Sequence, residues 1–493
     1  MGSIQETQNY EVWFITGSQH LYGEDTLKKV HNNTVSIVNG LKKSLPVNLI
    51  FKEVVTTPAE VVNICKEANY NTNCIGVITW CHTFSPSKMW INGLNILDVP
   101  WLQLHTQFNE KIPENIDMDF MNLNQAAHGD REHGFIATRM GKPRKVVVGH
   151  WQDIDVQKEI EGWMRSAIGA KLSRSLNIVR FGDNMRQVAV TEGDKVEAQI
   201  KLGWQVNTHP VGDLLEYVKS VSESSIENLL EEYKLNYIIN TDNLGHVRYQ
   251  AKLQLAIEKF LQDQKATAFT TTFEDLHGLE QLPGLAAQEL MKKGYGFGGE
   301  GDWKVSAMTY LLKAMAFGLE KGTSFMEDYT YDLTKGNELV LGSHMLEVCP
   351  TLADDKPKIE VHPLGIGGKA DPARLVFNGK TGAGIVVSLV DMGGRLRLIA
   401  NDIECVSAPK MPDLPVARVM WKPLPDLKTS ATAWMLSGGA HHTVLSYDLN
   451  AVHIGDWAEI MGIEFVHISK TTDIQNLKKE LFFGDIAYRL RLI

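Results

Sequence analysis

No CxxC pair, no even cysteine framework, no apolar run long enough to cross a bilayer and no cluster of basic residues occurs in this sequence. The five cysteines (Cys65, Cys74, Cys81, Cys349 and Cys405) are too few and too scattered for a disulfide scaffold or a thiolate zinc site, and they suit a reducing compartment. Without an apolar span there is no helical membrane anchor. The polar opening, MGSIQETQNYEVWF, has no apolar core of a secretion signal. A cytoplasmic location is therefore expected. Lysine and arginine (49) are outnumbered by aspartate and glutamate (59), for a net charge of −10. Nucleic acids and anionic membranes both select a basic face, so neither is an expected partner.

At 493 residues the chain exceeds what one core serves, and three textures divide it. In residues 1–172, short β-rich runs (Val12–Thr16, Leu49–Val55, Ile75–Trp80, Leu102–Thr106, Val146–Gly149) alternate with helical stretches at Asp25–Lys43 and Pro58–Ala68. Such alternation predicts a parallel sheet covered by helices. Residues 173–325 repeat the pattern, with strands expected at Asn177–Asp183, Gln205–Val211 and Thr267–Phe273. Helices are expected there at Leu214–Val221, Val247–Gln262 and Ala286–Lys293. Residues 326–493 carry short β runs at Leu375–Phe377, Gly384–Val390, Arg395–Asn401 and Ile403–Val406, parted by glycine turns. A helix (Val452–Met461) and a strand (Ile463–Ile468) are expected to close the chain. The fold class that follows is α/β: two doubly wound parallel-sheet domains, then a mainly antiparallel β domain.

Four ionisable residues stand among glycine, small or apolar neighbours: Glu300 in GFGGEGDW, Glu327 in TSFMEDYT, His344 in LGSHML and His442 in SGGAHH. A buried charge in such a setting is costly unless it is paired or bound to a metal. Two carboxylates with two imidazoles suit Mn²⁺ first, with Co²⁺ and Mg²⁺ as alternatives. Other roles fit the same pattern: Glu300 as an acid at a helix N-terminus, Glu327 and Asp328 as a solvated pair, the histidines as core residues. A second, polar and aromatic set (Gln19, Tyr22, His82, Gln125, His128, Asn184, Met185, Phe273, His277) lies near expected strand ends and has the composition of a sugar pocket, or of ordinary surface. Gly296-Phe-Gly-Gly-Glu-Gly301 matches GxGxxG, but a helical stretch precedes it and its glutamate would repel a pyrophosphate, so no dinucleotide site is expected.

Taken together the longer motifs resemble the L-arabinose isomerase family. They include GSQHLYG (Gly17–Gly23), WCHTFSPSKMWINGL (Trp80–Leu94), HTQFN (His105–Asn109), MDFMNLNQAAHG (Met118–Gly129), RFGDNMRQVAVTEGDK (Arg180–Lys195), TTTFEDLHGLEQLPGLAAQ (Thr270–Gln288), GEGDWK (Gly299–Lys304), TSFMEDYTY (Thr323–Tyr331), LGSHMLEVCP (Leu341–Pro350) and GGAHHTV (Gly438–Val444). The resemblance runs from about Tyr10 to about Asn450. It implies that Glu300, Glu327, His344 and His442 bind Mn²⁺, with His442 chosen over His441. It also implies sugar contacts at Gln19, Leu21, Met185, Phe273 and the loop at Ile366, with His128 reaching a neighbouring subunit of a homohexamer or homotetramer.

The activity so implied is conversion of L-arabinose to L-ribulose through an enediol, the first step of L-arabinose catabolism, with D-galactose to D-tagatose as a side reaction. Glu300 and Glu327 would serve as the acid/base pair, since a positioned carboxylate can move a proton between adjacent carbons. The competing classes are an isomerase of another sugar, a two-lobed sugar-binding protein and a nicotinamide oxidoreductase. The last would need a strand-borne glycine fingerprint.

Overall fold

The computed structural model describes residues 9–490. The chain divides into two compact units, one ending at Lys171 and one running from Leu172 onward.

The first unit is a five-stranded sheet of β1 (Glu11–Gly17), β2 (Asn48–Val55), β3 (Cys74–Cys81), β4 (Trp101–His105) and β5 (Lys145–Val148). All pairs are parallel, in the order β2-β1-β3-β4-β5. The central strand β3, CIGVITWC, is buried throughout, as a strand covered on both faces must be. The helix Pro58–Tyr70 starts where the sequence signals it: Thr57 and Glu60 form a capping box with proline in the first turn. Strand order reverses between β1 and β3, which makes the carboxyl edge there the expected ligand crevice of this sheet.

Two histidines lie in this core. His133 is fully buried between the edges of Trp90 and Trp101, and His82 stacks on Trp80 at 4.5 Å. Burial lowers both, His133 to about 3 and His82 to about 4, from an ordinary 6.5. The folded state keeps them neutral while the unfolded chain takes up protons near 6.5. Their stabilising share is thus complete above pH 6.5 and is lost as the pH falls toward 4 and then 3. His133→Phe should move the acid-unfolding midpoint, followed by tryptophan fluorescence, to lower pH; an unchanged midpoint would contradict this account.

The second unit opens with a parallel sheet in the order β10-β9-β6-β7. Here β6 is Asn177–Phe181 and β7 Gln205–His209; after the two-residue β8 (Ile238–Ile239) come β9 (Ala268–Thr271) and β10 (Gly296–Gly298). The chain then enters β11 (Thr323–Asp332), β12 (Leu339–Ser343), β13 (Lys358–Val361), β14 (Ala373–Val376), β15 (Gly382–Asp391), β16 (Leu396–Val406), β17 (Arg418–Pro423), β18 (His442–Ser446) and β19 (Glu464–Ile468). β13 pairs with β14 and β8 in a small separate sheet. The others form the order β15-β18-β11-β12-β17-β16, closed into an antiparallel barrel by β15 pairing with β16, while β19 adds in parallel to β16.

The expected fold class holds, with several local corrections. Arg395–Asn401 and Ile403–Val406 are one strand, β16; Asp402 does not break it, because its carboxylate reaches His467 at 3.0 Å. The chain does not close on β19. A further helix, Ile474–Arg489, follows, packing Ile474, Leu477 and Leu481 from one face against the cluster of Ile399, Val466 and Ile468. The GxGxxG match does lie on a strand, turn and helix, but its first three residues are the strand β10 itself and Glu300 occupies the turn. Asp302, not Glu300, caps the helix Trp303–Met315, accepting from the N–H groups of Lys304 and Val305. That helix is buried on nearly every side, packed between β9 and β10 on one face and the barrel strands β11, β15 and β18 on the other. It therefore fixes the turn at Glu300 against the barrel.

Candidate active site

Glu300 sits between β10 and the helix Trp303–Met315 with φ at +59°, in the left-handed region. A non-glycine residue there costs about 1–3 kcal/mol, and surrounding structure must enforce it. Two neighbours do so. The carbonyl of Glu300 accepts the N–H of Met185 at 2.9 Å. Gly301, at φ +78°, lies so close to the segment Asp183–Asn184 that a Cβ would meet Asn184 Cα at 2.5 Å. Gly299 is constrained less severely, since a Cβ there would lie 3.0 Å from the His344 ring.

His344 follows the last residue of β12, and His442 is the first residue of β18. Both are buried. Glu300, His344 and His442 each offer a ligand atom, and these atoms lie within 4.8 Å of one another. Glu327, on β11, is not among those three, but the strand register places it directly opposite His442 on one side and Ser343 on the other. Directly opposite residues of an antiparallel pair share a face with Cβ atoms roughly 4.5–5.5 Å apart. Three of the four residues singled out in the sequence thus meet as side chains, and the fourth is held to the same face by pairing.

The imidazoles are oriented from behind. His344 Nδ1 lies 2.5 Å from Glu347 Oε2, and His442 Nδ1 lies 3.2 Å from Asp302 Oδ2. These bonds assign the ring proton to Nδ1 in the neutral tautomer and leave Nε2 with its lone pair. His442 Nε2 is buried without a hydrogen-bond partner, 3.8 Å from Glu300 Oε2. A carboxylate behind a histidine whose other nitrogen faces inward is the usual support of a metal-binding imidazole. The orphaned nitrogen and the mixed oxygen/nitrogen set fit a divalent first-row cation. Sequence reasoning missed Asp302 and Glu347. Their only signals were position, two residues after Glu300 and three after His344.

Electrostatics agree with that arrangement. Burial opposes ionisation of Glu300, but His441, whose Nε2 is 3.4 Å away, together with His442 and His344 outweighs it, so the carboxyl lies below its ordinary range. For Asp302 too, burial raises the carboxyl, and Lys304 and His442 more than reverse it. Burial dominates at His442 and keeps it neutral against the pull of Asp302. At His344 burial is overcome by Glu347, and the imidazole lies above its ordinary value. Asp328 is pushed up to about 7 by burial and by the charge of Glu327, so it is no solvated partner of Glu327.

The remaining residues singled out for sugar contact fall into two groups. In the second unit, the Phe273 ring lies parallel to His344 at 6.2 Å, and Met185 is tied to Glu300 through its backbone. The loop bearing Ile366 is fastened beside the Phe273 segment by Lys369, which donates to the carbonyls of Leu276 and Leu279. Asn184 is a brace, bonding the carbonyls of Thr191 and Gly301, while His277 is exposed on its loop. In the first unit, Gln19, Leu21 and Tyr22 follow β1 at the carboxyl edge of the sheet. Leu21 is 83% exposed, Tyr22 donates to Gln125 at 3.1 Å, and His128 stacks on Phe84. His82 is buried below, bonded to Asn33.

Comparison with known proteins covers the whole of this architecture. Three family models match in succession: the L-arabinose isomerase N-terminal domain over residues 6–175, the central domain over 177–318 and the C-terminal domain over 322–464. Among curated proteins, the L-arabinose isomerase of Geobacillus stearothermophilus is 56% identical, covering 98% of this chain and 99% of its own length. That of Thermotoga neapolitana is 57% identical with the same coverage, and that of Anoxybacillus flavithermus is 57% identical over 97% of each chain. Among the described residues, no helix is long and apolar enough to cross a membrane.

Proposed function

The chain belongs to the L-arabinose isomerase family and is an aldose–ketose isomerase of that type, and from this premise we propose that it converts L-arabinose to L-ribulose at the cluster around Glu300 with the help of a divalent cation. The observation that carries the proposal is the convergence of Glu300, His344 and His442 within 4.8 Å, with His442 Nε2 buried and unpartnered. Glu300, Glu327, His344 and His442 would hold the ion, Mn²⁺ by preference, with Co²⁺ or Mg²⁺ as substitutes. When bound, the ion supplies Lewis acidity toward the oxygens on C1 and C2 of the sugar.

The protein's own part is proton handling and positioning. One carboxylate of the Glu300–Glu327 pair takes the proton from C2 at an Oε atom while O1 is protonated, which gives the enediol. Loss of the O2 proton and return of a proton to C1 then complete the ketose. Lowering of the Glu300 carboxyl keeps it ionised, and so able to accept, at neutral pH. Asp302 and Glu347 hold the two imidazoles in the tautomer that leaves Nε2 available. Phe273 and Met185 supply apolar wall beside the cluster, and Ile366 lies on the loop next to them. D-Galactose, with the same configuration near C1–C4, is proposed as a slower substrate giving D-tagatose.

The test is ketose formation from L-arabinose, measured after chelation and again after adding back Mn²⁺. Activity lost to the chelator and restored by Mn²⁺ is the expected result. Undiminished activity in chelator removes the metal, and no ketose under any condition removes the reaction. His442→Ala should raise the Mn²⁺ concentration needed for half-maximal rate by about tenfold or more, the scale set by loss of a ligand or its support. An unchanged Mn²⁺ titration of that variant would deny His442 its role.

A further inference from the structure

Lys304 is fully buried, and a buried ammonium is costly unless every donor is answered. Its three donors have three acceptors: Asp302 Oδ1 at 3.3 Å, the Thr191 carbonyl at 2.9 Å and the Glu192 carbonyl at 2.6 Å. The first belongs to the carboxylate that orients His442 through its other oxygen. The other two close the segment after β6 that carries Met185. That segment is also tied back to the Glu300 turn, by Met185 N–H to Glu300 O and by Asn184 to Gly301 O. The hydrogen bonds run from Glu300 through Met185 to Thr191, across Lys304 to Asp302 and on to His442, whose Nε2 ends 3.8 Å from Glu300 Oε2.

We infer that Lys304 is a positioning residue that couples the segment 183–192, which carries Met185, to the imidazole of His442, so that ordering of the segment and occupation of the cation site favour each other. The inference rests on the cation reading proposed above. The chemistry is that of a hydrogen-bonded brace anchored by one buried ammonium. Lys304 fixes Asp302, Asp302 fixes the tautomer and direction of His442, and the same ammonium gathers the backbone at 191–192. Any ligand that stabilises one end of such a brace stabilises the other, because coupling between two sites is reciprocal.

Lys304→Met keeps the length of the side chain and removes the charge. Two quantities are measured on the full chain: Mn²⁺ affinity by calorimetric titration of the metal-free protein, and amide hydrogen exchange of residues 183–192 with and without Mn²⁺. In the unsubstituted protein Mn²⁺ should slow exchange in this segment. In Lys304→Met the Mn²⁺ dissociation constant should rise at least about tenfold and the slowing should vanish. A merely structural lysine would lower the melting temperature yet leave the Mn²⁺-dependent slowing in place, and that result overturns the inference. Should Lys304→Met fail to fold, because Asp302 is left as an unpaired buried charge, Lys304→Gln, whose neutral and shorter side chain can still donate a hydrogen bond to the Asp302 carboxylate, carries the same measurements. If the unsubstituted protein binds Mn²⁺ but segment 183–192 does not respond, only this inference falls. If it binds no Mn²⁺, the cation reading falls and the inference with it.

Discussion

Glu300→Gln lowers the rate of ketose formation about a thousandfold, while the melting temperature stays within a few degrees of the parent protein. The size follows from what a positioned acid or base contributes, roughly 10²–10⁴ in rate. Glutamine keeps the volume of the side chain and one acceptor oxygen but cannot take a proton from carbon. The fold has little at stake in the carboxylate, whose neighbours are His441 and His442 of the site itself. What holds the turn is backbone: the Met185 bond to the Glu300 carbonyl and the close approach of Gly301 to Asn184, both kept in the variant. Steady-state rates at saturating sugar and Mn²⁺ decide it. Turnover within about tenfold of the parent would take Glu300 out of the chemistry.

Glu327→Gln should be as damaging, for a reason set by the barrel. Glu327 stands opposite His442 across one strand pair and opposite Ser343 across the other, so its side chain shares their face. Its charge also reaches His344 and His441 and shifts both imidazoles upward, behind the larger effects of Glu347 on the first and Glu300 on the second. The expected loss is again about a thousandfold. If the two carboxylates act as one device, the double variant Glu300→Gln/Glu327→Gln will be hardly slower than either single variant, as residues that work as a unit are strongly non-additive. Independent losses that multiply in the double variant would mean two separate roles. A near-normal rate for Glu327→Gln would leave Glu300 as the only candidate base.

Much of this protein was legible from local pattern. β3 announces itself because a strand covered on both faces must be apolar throughout, and the helix at Pro58 because proline, Thr57 and Glu60 spell a helix start. Glu300, His344 and His442 could be singled out because ionisable groups amid glycine and apolar neighbours are costly without a partner. The strands that carry the chemistry were not read. β11 runs from buried apolar residues into exposed polar ones, and β18 begins at His442 directly after a glycine-rich turn. Neither offers a clean period of two. Asp302, Glu347 and Lys304 look like ordinary charged residues until their partners are known.

Sequence alone, then, determined the class of fold, the order of its domains and the short list of residues with something unusual to do, because periodicity, capping and turn chemistry act over a few neighbouring residues. Only the tertiary structure decided that Glu327 faces His442 across a strand pair, that Asp302 rather than Glu300 caps the buried helix, and that Lys304 ties two distant segments to one imidazole. Apart from the cap, which is local, these pairings join residues more than a hundred positions apart. They depend on barrel closure and on burial against other elements, and no local pattern encodes either.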